Sequence, residues 1–167
     1  MVHVYARGNR KQRIYEDDVD RAGYLMLLGQ VVVRQRWLCL AYCLMHNHVH
    51  LLLETPEPNL AAGMQRLHGL HAQAFNKRHR HVGHLFQGRY GAVVVRTDEQ
   101  LLTVVRYIAL NPVEAGLCGD AAAWAWGSHA AVANRGAEPA WLDVRRLLAY
   151  FGAGGGDPRE RYAEVVR

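Results

Sequence analysis

HNHVHLLLE, residues His46 to Glu54, follows directly on the apolar run WLCLAYCLM of residues 37–45, and the junction between them decides the fold. Read as one helix, residues 37–54 put His46, Asn47 and His48 in mid-span, where a polar break interrupts the apolar pattern. Read as two strands, the same residues become a hairpin, with His46 and Asn47 in the tight turn where Asn is favoured. The hairpin is the expected form, with a buried strand before the turn and HVHLLLE after it. Residues two apart on a strand share a face, so His48 and His50 project together while Val49, Leu51 and Leu53 turn into apolar packing. Two adjacent imidazoles are half of a metal site, although His-x-His on a strand, taken alone, is more often a packed or hydrogen-bonded pair.

The segments on either side alternate in type. VHVYAR, Val2 to Arg7, reads as a strand and GNRKQR as a basic turn. Asp17 or Asp18 caps a helix running to about Arg36, with Ala22, Leu25, Met26, Gly29, Val32 and Val33 expected along its apolar side. A second helix, from Asn59 to about Arg78, repeats Leu60, Met64, Leu67, His71 and Phe75 at helical spacing. Its Gly63 and Gly69 each weaken it by about 1 kcal/mol relative to Ala. It empties into KRHRH, residues 77–81, which is either a solvated helix end or a phosphate contact. GHLFQGRYGAVVVR, residues 83–96, reads as a loop punctuated by the turn glycines Gly83, Gly88 and Gly91, followed by a strand. TDEQLLTVVRYIALNP opens on a capping box, Thr97 with Gln100, and is expected to stop at Pro112. Beyond it, WAWGSH, a loop with Asn134 and Gly136, a short helix from Leu142 to Phe151 and the GAGGG stretch at 152–156 make a less regular tail. Its Trp124, Trp126 and Trp141 are expected as tail core. The order β-α-β-β-α-β-α predicts an α+β fold, a mostly antiparallel sheet with helices packed on it.

The capped helix carries a second stripe. Leu101, Val104, Val105 and Ile108 form the apolar side, while Gln100, Thr103, Tyr107 and Asn111 recur at spacings of three and four. Tyr107 and Asn111 thus stand one turn apart. An amide oxygen beside two imidazoles is a mixed nitrogen and oxygen donor set, which suits Mg²⁺ or Mn²⁺ better than a thiolate-seeking metal. The phenol beside it is a candidate nucleophile, although a lone Tyr is also an ordinary packing residue.

Composition bounds the partners. Twenty Lys and Arg against fifteen Asp and Glu leave a net charge of +5, which suits a polyanion without requiring one. Three cysteines without zinc-ribbon spacing suggest neither a disulfide framework nor a Cys-based metal site, and point to a reducing compartment. No apolar run approaches the roughly 20 residues that span a bilayer, and MVHVYARGNRKQR is unlike a signal peptide. A cytoplasmic, nucleoid-associated protein is expected.

MHNHVHLLLE, GHLFQGRYGAVVV and RYIALNPVEAG, with its Tyr-x-x-x-Asn spacing, together resemble the single-tyrosine HUH transposases of the insertion-sequence type, most closely the REP-associated tyrosine transposases. The resemblance runs from VHVYARGN through the WAWGSH region. It implies a ferredoxin-like HUH palm over residues 1–117, with residues 118–167 packed on or extending it. It further implies an enzyme that nicks and rejoins single-stranded DNA beside a palindromic hairpin, as monomer or homodimer, through a 5′-phosphotyrosine. By position His48 and His50 correspond to the HUH pair, Tyr107 to the nucleophile and Asn111 to the third ligand of Mg²⁺ or Mn²⁺. Lys77, Arg78, Arg80, Arg89 and Arg7 are the candidate DNA contacts. The family commonly has Pro where this chain has His46, which is expected to adjust the turn rather than to add a ligand. His79, His84 and His129 receive no role. Two other classes compete: a non-catalytic hairpin-binding regulator on the same scaffold, and a small-molecule hydrolase, for which Glu54 is the only nearby acid.

Overall fold

A computed structural model describes residues 1–152 and 155–167, so residues 153 and 154 of the GAGGG stretch lie outside the described residues. The hairpin is formed as expected, β2 spanning Leu38–Leu44 and β3 His48–Glu54, with a bulge between Cys39 and Ala41. β1 (Val2–Arg7) pairs antiparallel with β3, and β4 (Gly91–Val94) pairs antiparallel with β1, giving the order β2-β3-β1-β4. With α1 (Asp18–Gln35) between β1 and β2 and α2 (Leu60–His79) between β3 and β4, this is the ferredoxin-like α+β order. α3 (Asp98–Glu114) packs against β2 and β3.

Strand alternation sets the two sheet faces. Val2, Val4 and Ala6 are buried on one side of β1, while His3, Tyr5 and Arg7 point to the other. Directly paired residues share a face, and Tyr5 pairs with His50 and Arg7 with His48. The polar side of β1 is therefore continuous with the two imidazoles of β3.

The helices begin where their caps predict. Asp17 Oδ1 accepts from the Val19 and Asp20 amides at 3.0 and 3.2 Å, and Thr97 Oγ1 accepts from the Gln100 amide at 3.2 Å. Gln100 Oε1 reaches back past the cap, accepting from the Arg96 amide at 2.8 Å instead of from the Thr97 amide that a capping box would use. Two expectations fail. In α1 the buried line is Tyr24, Leu28, Gly29, Val31 and Val32, whereas Met26 and Val33 are 60% and 73% exposed. Apolar residues occur all round this helix, so periodicity alone could not select the buried side. α3 does not stop at Pro112 but continues to Glu114. A proline in the last turn forfeits one amide bond, and the carbonyls of Asn111 and Pro112 are still taken by the Ala115 and Leu117 amides.

α2 buries Met64, Leu67, His71 and Phe75, as its spacing predicts, while Leu60 is half-buried and Gly63 is buried in addition. Gly63 is required rather than tolerated, since a Cβ there would lie 2.2 Å from the ring of Trp37.

The tail is more regular than expected. It contains α4 (His129–Val132), α5 (Val144–Ala149) and α6 (Pro158–Val166), of which only α5 answers to a helix expected from the sequence. It covers the outer edge of β2. Ser128 Oγ accepts from the Tyr42 amide at 2.9 Å, Leu44 N donates to Trp126 O at 2.9 Å, and Asp143 N donates to Cys39 O at 2.8 Å. Pairing of this kind removes an exposed strand edge. Trp124, Trp126 and Trp141 pack against the core. Glu54 is committed to the same junction, bonded to Arg146 at 3.1 Å and to Tyr150 at 2.6 Å. It is thus not available to a hydrolase site.

Candidate functional site

β3 and α3 bring four predicted residues together. His48 Nε2 lies 3.1 Å from Asn111 Oδ1, and His50 Nε2 lies 3.5 Å from the Tyr107 hydroxyl. The rings of His48 and His50 are 5.1 Å apart, and those of His50 and Tyr107 5.0 Å. Helical spacing explains the pairing: with Tyr107 and Asn111 one turn apart, each meets one imidazole of the strand beneath. Gln100 and Thr103, on the same stripe, are spent on the helix itself, since Thr103 bonds the Glu99 carbonyl at 2.9 Å.

Burial grades the site. His50 and Asn111 are 6% and 8% exposed, while Tyr107 is 41% exposed. Burial, then His48, His3 and Arg7, push His50 down to about 3. Burial also lowers His48, with Asn111 opposing it, because its oxygen would accept a proton carried on Nε2 of the charged ring, and with Arg7 adding to it. Both imidazoles are therefore neutral at pH 7, the form that ligates a metal.

The donor set fits a divalent cation. Asn47 Nδ2 donates to Lys11 O at 2.9 Å, which turns its Oδ1 toward His48, where it accepts the Nδ1–H at 2.7 Å. The remaining lone pair of His48, on Nε2, then faces the Asn111 oxygen. Two acceptors at 3.1 Å with no proton between them are an arrangement that a cation relieves. Among the described residues no group of three or more His, Cys, Asp or Glu side chains is placed to hold a metal, so a metal here needs the amide oxygen of Asn111.

One neighbour was missed. His3 Nε2 lies 3.1 Å from His50 Nδ1, and its ring is 6.1 Å from that of Tyr107. The alternation of VHVYAR carried the signal, because the parity argument that paired His48 with His50 also puts His3, Tyr5 and Arg7 on one face. Tyr5 is 43% exposed and lies over Gly91, where a Cβ would come within 2.3 Å of its ring. His46 sits apart, bonded to Arg21 Nη2 at 2.8 Å, as a turn residue.

The basic candidates separate into groups. Exposed Arg7 is opposite His48 and so adjoins the site. Lys77 and Arg80 are exposed at the end of α2. Arg89 lines a groove of about 940 Å³ between α2 and residues 83–90, together with Met64, His68, Phe86 and Tyr90 and without any carboxylate. Arg78 is already engaged, 2.6 Å from Asp17 and 2.7 Å from Asp20.

Residues 1–111 match a protein family described as "Transposase IS200 like". No curated protein matches the chain. Among solved structures, a REP-associated tyrosine transposase bound to a REP hairpin has the same fold, with a TM-score of 0.65 and 15% identity over 83% of this chain and 82% of that one. A Deinococcus radiodurans R1 crystal structure described only as a candidate transposase gives a TM-score of 0.49 and 21% identity, over 64% of this chain and 86% of that one.

Proposed function

The chain belongs to the IS200-like transposase family, and on that premise we propose that it nicks and rejoins single-stranded DNA beside a stem-loop, with Tyr107 as nucleophile. The observation that carries this reading is the meeting of Tyr107 with His50 and of Asn111 with His48 across the β3–α3 interface. The Tyr107 oxygen attacks phosphorus and the bond to the 3′ oxygen breaks. The phenol releases its proton to solvent, the DNA stays linked through a 5′-phosphotyrosine, and the departing 3′ oxygen becomes a hydroxyl. Because the new linkage is itself a phosphodiester, attack by a 3′-hydroxyl rejoins the strand without another energy source. Held by His48 Nε2, His50 Nε2 and Asn111 Oδ1, Mg²⁺ or Mn²⁺ would supply positive charge to the scissile phosphate. The partner we propose is palindromic hairpin DNA in the cytoplasm, in keeping with the REP hairpin held by the protein of like fold.

Labelled stem-loop oligonucleotide incubated with protein and Mn²⁺ should yield an adduct that survives denaturation. Tyr107→Phe should abolish the adduct and keep hairpin binding and melting temperature, because the residue is 41% exposed and, among the described residues, its hydroxyl makes one long contact, 3.5 Å to His50. An adduct that persists in Tyr107→Phe removes this residue as the nucleophile. Hairpin binding without any adduct in the unaltered protein would instead support the regulator.

A further inference from the structure

We propose that His3 is a positioning residue for His50: it accepts the Nδ1–H of His50 on its own Nε2 and so keeps the Nε2 lone pair of His50 turned toward Tyr107 on α3, the helix whose Asn111 meets His48. The proposal rests on the reading of His48, His50 and Asn111 as metal ligands.

Three observations converge on it. The His3 Nε2 to His50 Nδ1 distance is 3.1 Å, hydrogen-bonding range, so one of the two nitrogens carries a proton and the other receives it. Only one of the two arrangements leaves His50 Nε2 free. If His3 donates, neutral His50 carries its proton on Nε2, aimed at the Tyr107 hydroxyl, and can ligate nothing there. If His50 donates, its Nε2 presents a lone pair toward α3, the helix that His48 Nε2 also meets. The second observation is the parallel with His48, whose Nδ1–H is taken by Asn47 Oδ1 at 2.7 Å while its Nε2 faces Asn111. Each imidazole of the pair has its Nδ1 bonded on the side away from α3 and its Nε2 turned toward α3. The third is the sheet register: Tyr5 pairs with His50 and His3 with Leu52, so His3 is the diagonal neighbour of His50 on the same face. The ring of His3 is 5.2 Å from that of His50, close enough to fix its orientation as well as its proton. A ligating imidazole commonly owes its tautomer and its angle to such an outer partner, and losing the partner weakens metal affinity by about 10–100-fold.

The test uses the full chain free of metal and then loaded with Mn²⁺. In the metal-free protein, long-range ¹H–¹⁵N correlation spectra at neutral pH should find the His50 proton on Nδ1. His3→Leu, which fills similar space without an acceptor, should move that proton to Nε2 and raise the Mn²⁺ dissociation constant by about 10–100-fold, read from the electron paramagnetic resonance signal of free Mn²⁺. His3→Gln, whose side-chain oxygen can accept the same proton, should restore both the tautomer and most of the affinity. A fold defect would lower the melting temperature of both variants and would not be undone by Gln. His50 protonated on Nε2 in the unaltered protein, or a His3→Leu variant with unchanged tautomer and unchanged Mn²⁺ affinity, overturns the role of His3. Failure of the underlying metal reading looks different: Mn²⁺ binding would then be the same in His48→Ala as in the unaltered protein.

Discussion

Salt dependence of DNA binding separates the basic residues that can reach phosphate from the one the fold has already paired. Arg7, Lys77, Arg80 and Arg89 are exposed and have no ion pair among the described residues. Each phosphate that such a residue neutralises contributes about 0.7 to 0.9 to the slope of log K against log salt, so replacing all four by Gln should flatten the slope by about 3 units. Arg78 belongs to the same sequence cluster and should behave differently. Its guanidinium is bonded to both carboxyl oxygens of Asp17, at 2.8 and 2.6 Å, and to Asp20 at 2.7 Å, and it holds Asp17 down to about 2. Two carboxylates against one guanidinium leave no positive charge there for a phosphate at pH 7, even with His79 beside Asp20 at 2.8 Å. Arg78→Gln should therefore leave the slope within about 0.2 of its original value. It should lower the melting temperature, because Asp20, only 4% exposed in its side chain, loses its guanidinium partner. The assay is fluorescence anisotropy of a labelled hairpin across a salt series, with an unstructured strand of equal length in parallel. A slope that flattens by a full phosphate in Arg78→Gln, or that is unmoved in the fourfold variant, refutes the assignment.

Acid should destabilise the metal-free protein from about pH 6.5 downward. Burial, with His71 beside it, pushes His68 down to about 4; its ring stacks on Phe86 at 4.2 Å. The unfolded chain therefore binds a proton between pH 6.5 and 4 that the native state refuses, and stability that is complete above 6.5 is lost as pH falls through that window. His68 accounts for about 2 to 3 kcal/mol of the loss, so urea unfolding at pH 7.5 and 4.5 should differ less in His68→Phe. An equal difference in both proteins contradicts this. Glycine replacements in α2 should have opposite signs. Gly63→Ala drives a methyl into Trp37 and should cost about 1 to 3 kcal/mol, whereas Gly69→Ala, with nothing within 4 Å, should add up to about 1 kcal/mol. Urea midpoints decide it, and a stabilised Gly63→Ala refutes the packing argument.

The features read correctly from the sequence act over short spans of chain. The polar break at His46 and Asn47 makes the hairpin, strand parity pairs His48 with His50, and Asp17 and Thr97 cap the helices they precede. Tyr107 and Asn111 share a helix face because they are four residues apart. Each follows from backbone geometry within a few residues, whatever the rest of the fold does. What only the tertiary structure decided involves partners far apart in the chain. His3 meets His50 across 47 residues because β1 lies beside β3. Arg78 is claimed by Asp17 and Asp20 from 61 and 58 residues away, although its neighbours in sequence suggest a DNA contact. The buried side of α1 is likewise set by what packs against it, since its apolar residues surround the helix. Gly63 reads as a weakness by helix propensity and proves to be the seat of Trp37. Local rules determine which side chains share a face. Which face is buried, and which charge finds a partner, is settled only when distant elements compete for the same space.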